Sequence, residues 1–104
     1  MGKDLDRIAQ ASLEYEQEEK KVIIQTYKFI IKELVRLARF GKDIETSVYL
    51  ENNSTADKLQ ELFESEGFQC HQCFLRKINQ TELVVELMPE KLNEAKQQLL
   101  LKRR

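Results

Sequence analysis

Apolar positions recur at two different periods along this chain, and the changes of period mark its elements. Residues 4–39 contain no Gly or Pro, and apolar residues return there every three or four positions, the period of a helix. Leu5, Ile8, Ser12 and Tyr15 form a thin stripe. The run Glu16-Gln17-Glu18-Glu19-Lys20-Lys21 then carries no apolar residue, and from Val22 the stripe returns far more strongly. This spacing predicts one long helix, capped by Asp4 or Asp6 and stopped by Gly41. The rival is a break near residues 16–20, with residues 4–15 folded back as a short helix.

Residues 44–51 alternate, which predicts a strand with Ile44, Val48 and Leu50 inward. Asn52-Asn53-Ser54 reads as a turn, and Ser54 followed by Asp57 resembles a helix N-cap with an acid in the first turn. The second helix places Ala56, Leu59, Leu62 and Phe63 inward and ends at Gly67. Residues 68–78 predict a second strand, Asn79-Gln80 a hairpin turn, and residues 81–87 a third strand with Leu83, Val85 and Leu87 on one face. Pro89 suits the first turn of a final helix bearing Leu92, Ala95, Leu99 and Leu100.

The resulting order is α-β-α-β-β-α, an α/β (α+β) fold of two layers. The strand–helix–strand crossover implies that strands one and two run parallel, and the hairpin makes strand three antiparallel to strand two. The expected sheet is therefore three-stranded and mixed, with strand three either central or at an edge. The long N-terminal helix and the C-terminal helix are expected to pack it. Residues 1–20 form a helical extension, and residues 21–104 a single α/β domain. The predicted core is Ile30, Leu34, Leu37, Val48, Leu50, Leu62, Phe63, Val85 and Leu87.

The apolar arc of residues 22–40 is about twice the ~100° that an amphipathic helix needs on one sheet. It calls for a second cover, from another helix of this chain or from a partner. A helix of ~35 residues extends about 50 Å, beyond the diameter of a compact domain of this size. The stripe upstream of residue 16 therefore predicts a homodimer through the N-terminal helix, with Leu5, Ile8, Tyr15, Ile23 and Ile30 as the interface. Antiparallel pairing would also set the acidic residues 14–19 beside the basic residues 21–42.

Composition changes this picture little. A chain of 104 residues suits one domain, and 34% charged against 41% hydrophobic residues suits a soluble one. Three Gly and one Pro exclude a loop-rich or all-β chain. No apolar run is long enough to span a bilayer, and the start Met1-Gly2-Lys3-Asp4-Leu5-Asp6 has no signal core, so the cytoplasm is the expected location.

The net charge of −1 conceals a segregation. Residues 1–20 sum to −3, residues 21–42 to +5, residues 43–69 to −6 and residues 70–104 to +3. At 100° per residue, Lys21, Lys28, Lys32, Arg36, Arg39 and Lys42 fall within an arc of about 120°. This stripe is a candidate contact for phosphates of a nucleic acid or for an acidic protein. Its plainer reading is a solvated face, salt-bridged in part to the acidic block at 43–69.

Cys70-His71-Gln72-Cys73 is the one constellation with metal-ligand types. It offers at most three zinc ligands unless a symmetric copy adds more, and neighbours in a strand point to opposite faces. Redox chemistry would want the first Cys at a helix N-terminus, and this motif reads as strand. No metal and no cofactor are expected. The glycines at 2, 41 and 67 are too far apart to cradle a phosphate. Neither a metalloprotease nor a nucleophile-elbow motif occurs, so no catalytic residue is assigned and the chain reads as non-enzymatic.

Phe40-Gly41-Lys42 leading into residues 44–50, followed by Leu59, Leu62-Phe63 and Gly67-Phe68, resembles small uncharacterised proteins of phages and mobile elements of low-GC Gram-positive bacteria. The resemblance covers about half the chain and implies a bacterial source. That group shares no site motif found here, so no functional residue comes with it. The sequence reading is a small protein-interaction or accessory module, self-associating through its N-terminal helix. The alternative is a nucleic-acid-binding accessory protein using the basic face of residues 21–42.

Overall fold

The structure, a computed structural model, describes residues 2–103. Its elements follow the predicted order: α1 (Lys3–Arg39), β1 (Glu45–Leu50), α2 (Asn53–Ser65), β2 (Gln69–Leu75), β3 (Gln80–Glu86) and α3 (Pro89–Lys102). The helix α1 is unbroken over 37 residues, so residues 4–15 do not fold back. At 1.5 Å per residue it is about 55 Å long. The radius of gyration is 18.0 Å and the longest axis 64 Å. A compact chain of this length would have a radius of only about 13 Å.

Two glycines end α1 and α2 in the same way. Gly41 has φ +67° and Gly67 φ +99°, the left-handed region in which a Cβ is strained. After α1, Lys42 N–H donates to the Leu37 carbonyl at 3.0 Å and Gly41 N–H to Ala38 at 3.1 Å. After α2, Phe68 N–H donates to Phe63 at 3.1 Å and Gly67 N–H to Glu64 at 3.1 Å. Both are Schellman closures. The second carries the accompanying apolar contact, with the Phe63 and Phe68 rings edge to face at 5.5 Å. At its other end α2 is capped by Asn52, whose side chain accepts from Ser54 N–H, so the cap lies two residues before the predicted Ser54.

The sheet order is β1-β3-β2, and β3 pairs antiparallel with both neighbours. Strands β1 and β2 run in one direction, as the crossover implies. The hairpin strand inserts between them, so no parallel pair forms and the sheet is antiparallel rather than mixed.

One face of the sheet is covered, and by α2 and α1 rather than by the two terminal helices. Ala56, Leu59 and Phe63 of α2 meet Ile30 and Leu34 of α1 over Leu50, Leu83, Val85 and Cys70. This answers part of the demand of the wide α1 arc from within the chain, with α2 as a second cover, while Val22, Ile24, Phe29, Val35 and Phe40 stay exposed. Of the predicted core, Ile30, Leu34, Leu50, Phe63 and Val85 are buried, while Leu37, Val48 and Leu87 are partly buried against it. Leu62 is 37% exposed, a correction, because the buried α2 row runs through Leu59 instead.

The helix α3 is the larger correction. No residue of it is buried, and beyond Leu92 it packs on no other helix or strand among the described residues. Only Leu92 of α3 is half-buried against the edge of the core. No helix among the described residues is long and apolar enough to cross a membrane.

Candidate functional site

The most constrained polar group is one the sequence reading did not single out. Glu19 is 6% exposed and lies on the apolar stripe of α1, four residues after Tyr15 and four before Ile23. A buried carboxylate needs donors, and α2 supplies them. Lys58 forms an ion pair with Glu19, and Thr55 Oγ1 donates to it at 3.4 Å. The Tyr15 hydroxyl donates to Glu19 at 3.2 Å and accepts from the Asn52 side chain. Glu19 thus sits by the first turn of α2, where unpaired N–H groups favour a negative charge. The hydrogen bond from Lys58 holds the Glu19 carboxyl below its usual range, against the opposing effect of burial. The same bond raises Lys58. A carboxylate on an apolar stripe is the signal that would have found this group.

Near the far end of α2, the Tyr27 hydroxyl donates to both Glu66 carboxylate oxygens at 2.7 Å. The Tyr27 ring stacks on Phe63 at 4.9 Å. Burial first, and Glu66 second, push Tyr27 up to about 12. The two seams fix α1 along α2, with Tyr15 by Asn52 at one end and Tyr27 by Glu66 at the other. Beyond Tyr15 the helix continues alone.

That overhang carries the predicted interface only in part. Leu5, Ile8 and Tyr15 are exposed, at 63%, 68% and 53%. Ile23 is half-buried against the core, and Ile30, expected both in the core and at the interface, is fully buried in the core, which corrects its interface role. The reason lies in helix geometry. All five residues share one face of α1, but the domain already covers that face from residue 19 onward.

Five of the six basic residues lie on one outward face of α1, and Lys42, past the turn at Gly41, lies off the helix. Lys21, Lys28, Lys32, Arg36, Arg39 and Lys42 are all exposed. Two of them are paired within α1, Lys21 with Glu18 at 3.3 Å and Arg36 with Glu33. Lys28, Lys32, Arg39 and Lys42 have no ion-pair partner among the described residues. The expected bridges to the acidic block do not form. The one ion pair joining α1 to α2 runs the opposite way, from Glu19 of α1 to Lys58 of α2. Phe29 and Phe40, both on α1's exposed surface or just past its end, flank the stripe and line a shallow hollow with Lys32, Arg36 and Arg39. Spacing alone placed these aromatics in the apolar arc, and exposure distinguishes them.

Cys70, His71 and Cys73 are not brought together. Cys70 faces the core beside Val85, while His71 and Cys73 are exposed on β2. Three residues of strand span about 10 Å, too far for a disulfide. Both thiols are free. Burial first, and Glu64 second, push Cys70 up to about 11. No group of three or more His, Cys, Asp or Glu among the described residues is placed to hold a metal. Comparison with protein-family models, curated proteins and solved structures finds no match to this chain.

Proposed function

We propose that this chain is a small, non-enzymatic interaction module that self-associates through the N-terminal part of α1. One observation carries the reading: α1 leaves its own domain with Leu5 and Ile8 exposed on the same face that is buried from Ile23 onward. A lone helix overhang gains nothing from such a stripe in water, and a partner helix would bury it. We place the module in the cytoplasm, which suits its two free thiols. Light scattering from low to high micromolar concentration tests the reading. The expected mass rises to that of a dimer at high micromolar concentration, and Leu5→Glu with Ile8→Glu keeps it at that of a monomer. A monomeric mass throughout would refute self-association.

A second reading rests on the basic face. Among the described residues, Lys28, Lys32 and Arg39 stand without ion-pair partners beside Phe29 and Phe40, with Glu33 held by Arg36, a combination that suits phosphates and stacked bases. A gel shift across salt concentrations tests it. Binding that weakens steeply with salt, and that Lys28→Gln with Lys32→Gln abolishes, would support nucleic-acid binding.

A further inference from the structure

We propose that α3 of a second copy covers the apolar stripe of the α1 overhang, in a two-fold dimer that forms this contact twice. The inference rests on the self-association just proposed and names what meets what.

The described chain leaves two helical segments without a partner, not one. Leu5, Ile8, Ser12 and Tyr15 recur on the overhang at steps of three and four. Leu92, Ala95 and Leu99 do the same on α3, with Leu100 beside them; Leu92 is half-buried against its own core, and Ala95, Leu99 and Leu100 are exposed. Leu99 and Leu100 are 55% and 58% exposed. Both stripes follow the spacing that lets two helices interlock side chains. The segments also match in length, since 13 residues of overhang and the 14 of α3 each span about 20 Å.

They cannot meet within one chain. Leu87 N–H bonds the Ile44 carbonyl at 2.9 Å, so α3 starts at the end of the domain where α1 finishes. The overhang projects from the other end, past Tyr15. From Tyr15 to Arg39 is about 36 Å of helix, and α3 is only about 21 Å long. A two-fold axis across α1 brings the tail end of one copy to the overhang of the other. Both unpartnered stripes are then covered at once, and the assembly closes at two copies.

Charge selects this pairing over the simpler ones. The overhang, residues 3–15, holds three carboxylates against two cations, and residues 89–103 hold four cations against two carboxylates. Overhang against overhang would oppose two segments that are each net negative. Helix α3 against α3 would oppose cations to cations. Overhang against α3 opposes unlike charge, which favours the cross pairing.

The test uses the full chain with the exposed thiol removed by Cys73→Ser. Ile8→Cys is made in one preparation and Leu99→Cys in another, with tags of different size. The two are mixed under mild oxidation. The expected result is a covalent heterodimer that exceeds the self-linked product of either preparation alone. In parallel, Leu99→Asp should weaken dimerisation at least about tenfold while leaving the helical circular dichroism unchanged. A dimer in which Ile8→Cys links only to itself, or in which neither site links, overturns the α3 contact and leaves self-association standing. A monomeric mass overturns both.

Discussion

Residues 3–15 and residues 19–37 belong to one helix, share one apolar face and meet opposite fates. On the second segment Ile30 and Leu34 are sealed under α2 and the sheet. On the first, every described side chain is exposed. Helix propensity does not separate them, because neither contains Gly or Pro and the helix runs through both. What differs is the availability of a cover. The helix α2 that covers α1 is only 13 residues long, and α1 is nearly three times that, at 37. Burial along a helix is thus set by the length of its neighbours as much as by its own pattern.

The contrast is sharpest in stability. Leu34→Ala or Ile30→Ala should cost about 2–5 kcal/mol, since each opens a cavity among Leu59, Phe63 and the sheet. Urea unfolding at low concentration measures it. A loss under ~0.5 kcal/mol would place that residue outside the core.

Next in size is the Glu19 seam, where the covered segment begins. Its carboxyl titrates below the ordinary range when folded. The fold therefore binds this proton less tightly than the unfolded chain does, and stability rises with pH across that window. The contribution is in place above the unfolded carboxylate range, near pH 4–5, and is lost as the pH falls through the lowered folded value. Thermal unfolding between pH 7 and pH 3 should show this loss, and Glu19→Gln should flatten the curve while lowering stability at pH 7. An unchanged acid limb in the variant would remove Glu19 from the seam.

Much of this architecture was legible in the sequence. The six elements came from periodicity, and Gly41 and Gly67 from their position after the apolar stripes. The sheet order did not, because a hairpin strand satisfies the same pattern at an edge or in the middle. Leu62 and Leu59 carry the same residue type three positions apart, and only the angle at which α2 meets α1 separates them. Helix α3 was misplaced for a related reason: an amphipathic stripe shows that a helix wants a cover, and not which surface supplies it. Ile30 was assigned to an interface by the same gap. The basic residues of α1 were legible as one helix face, but Lys42 lies past the helix end, and the freedom of that face from the acidic block depends on where α2 lies.

Smaller again is the effect of Tyr27, at the closed end of the covered segment. Its hydroxyl is pushed up to about 12, so the fold holds this proton more tightly than the unfolded chain. The stability it adds is complete below about pH 10, its unfolded value, and disappears as the pH rises towards 12. Tyr27→Phe keeps the ring on Phe63 and removes the bond to Glu66, which should cost no more than about 1.5 kcal/mol at pH 7. Spectrophotometric titration of the phenols checks the shift, because the variant should lose a late-ionising group.

The smallest effect on the fold is expected from the uncovered segment itself. Deleting residues 3–14 removes no side-chain hydrogen bond to the rest of the domain, since the bonds from α1 to α2 begin at Tyr15 and Glu19. It also removes no member of the core cluster. In dilute solution, where the chain is monomeric, unfolding should therefore shift by no more than about 0.5 kcal/mol. At high concentration the full chain should gain stability from association by mass action, and the shortened chain should not. The two melting curves then coincide at low micromolar concentration and separate as concentration rises. Curves that differ equally at every concentration would mean that the overhang supports its own domain. Curves that never separate would mean that the stripe of Leu5 and Ile8 meets no second copy.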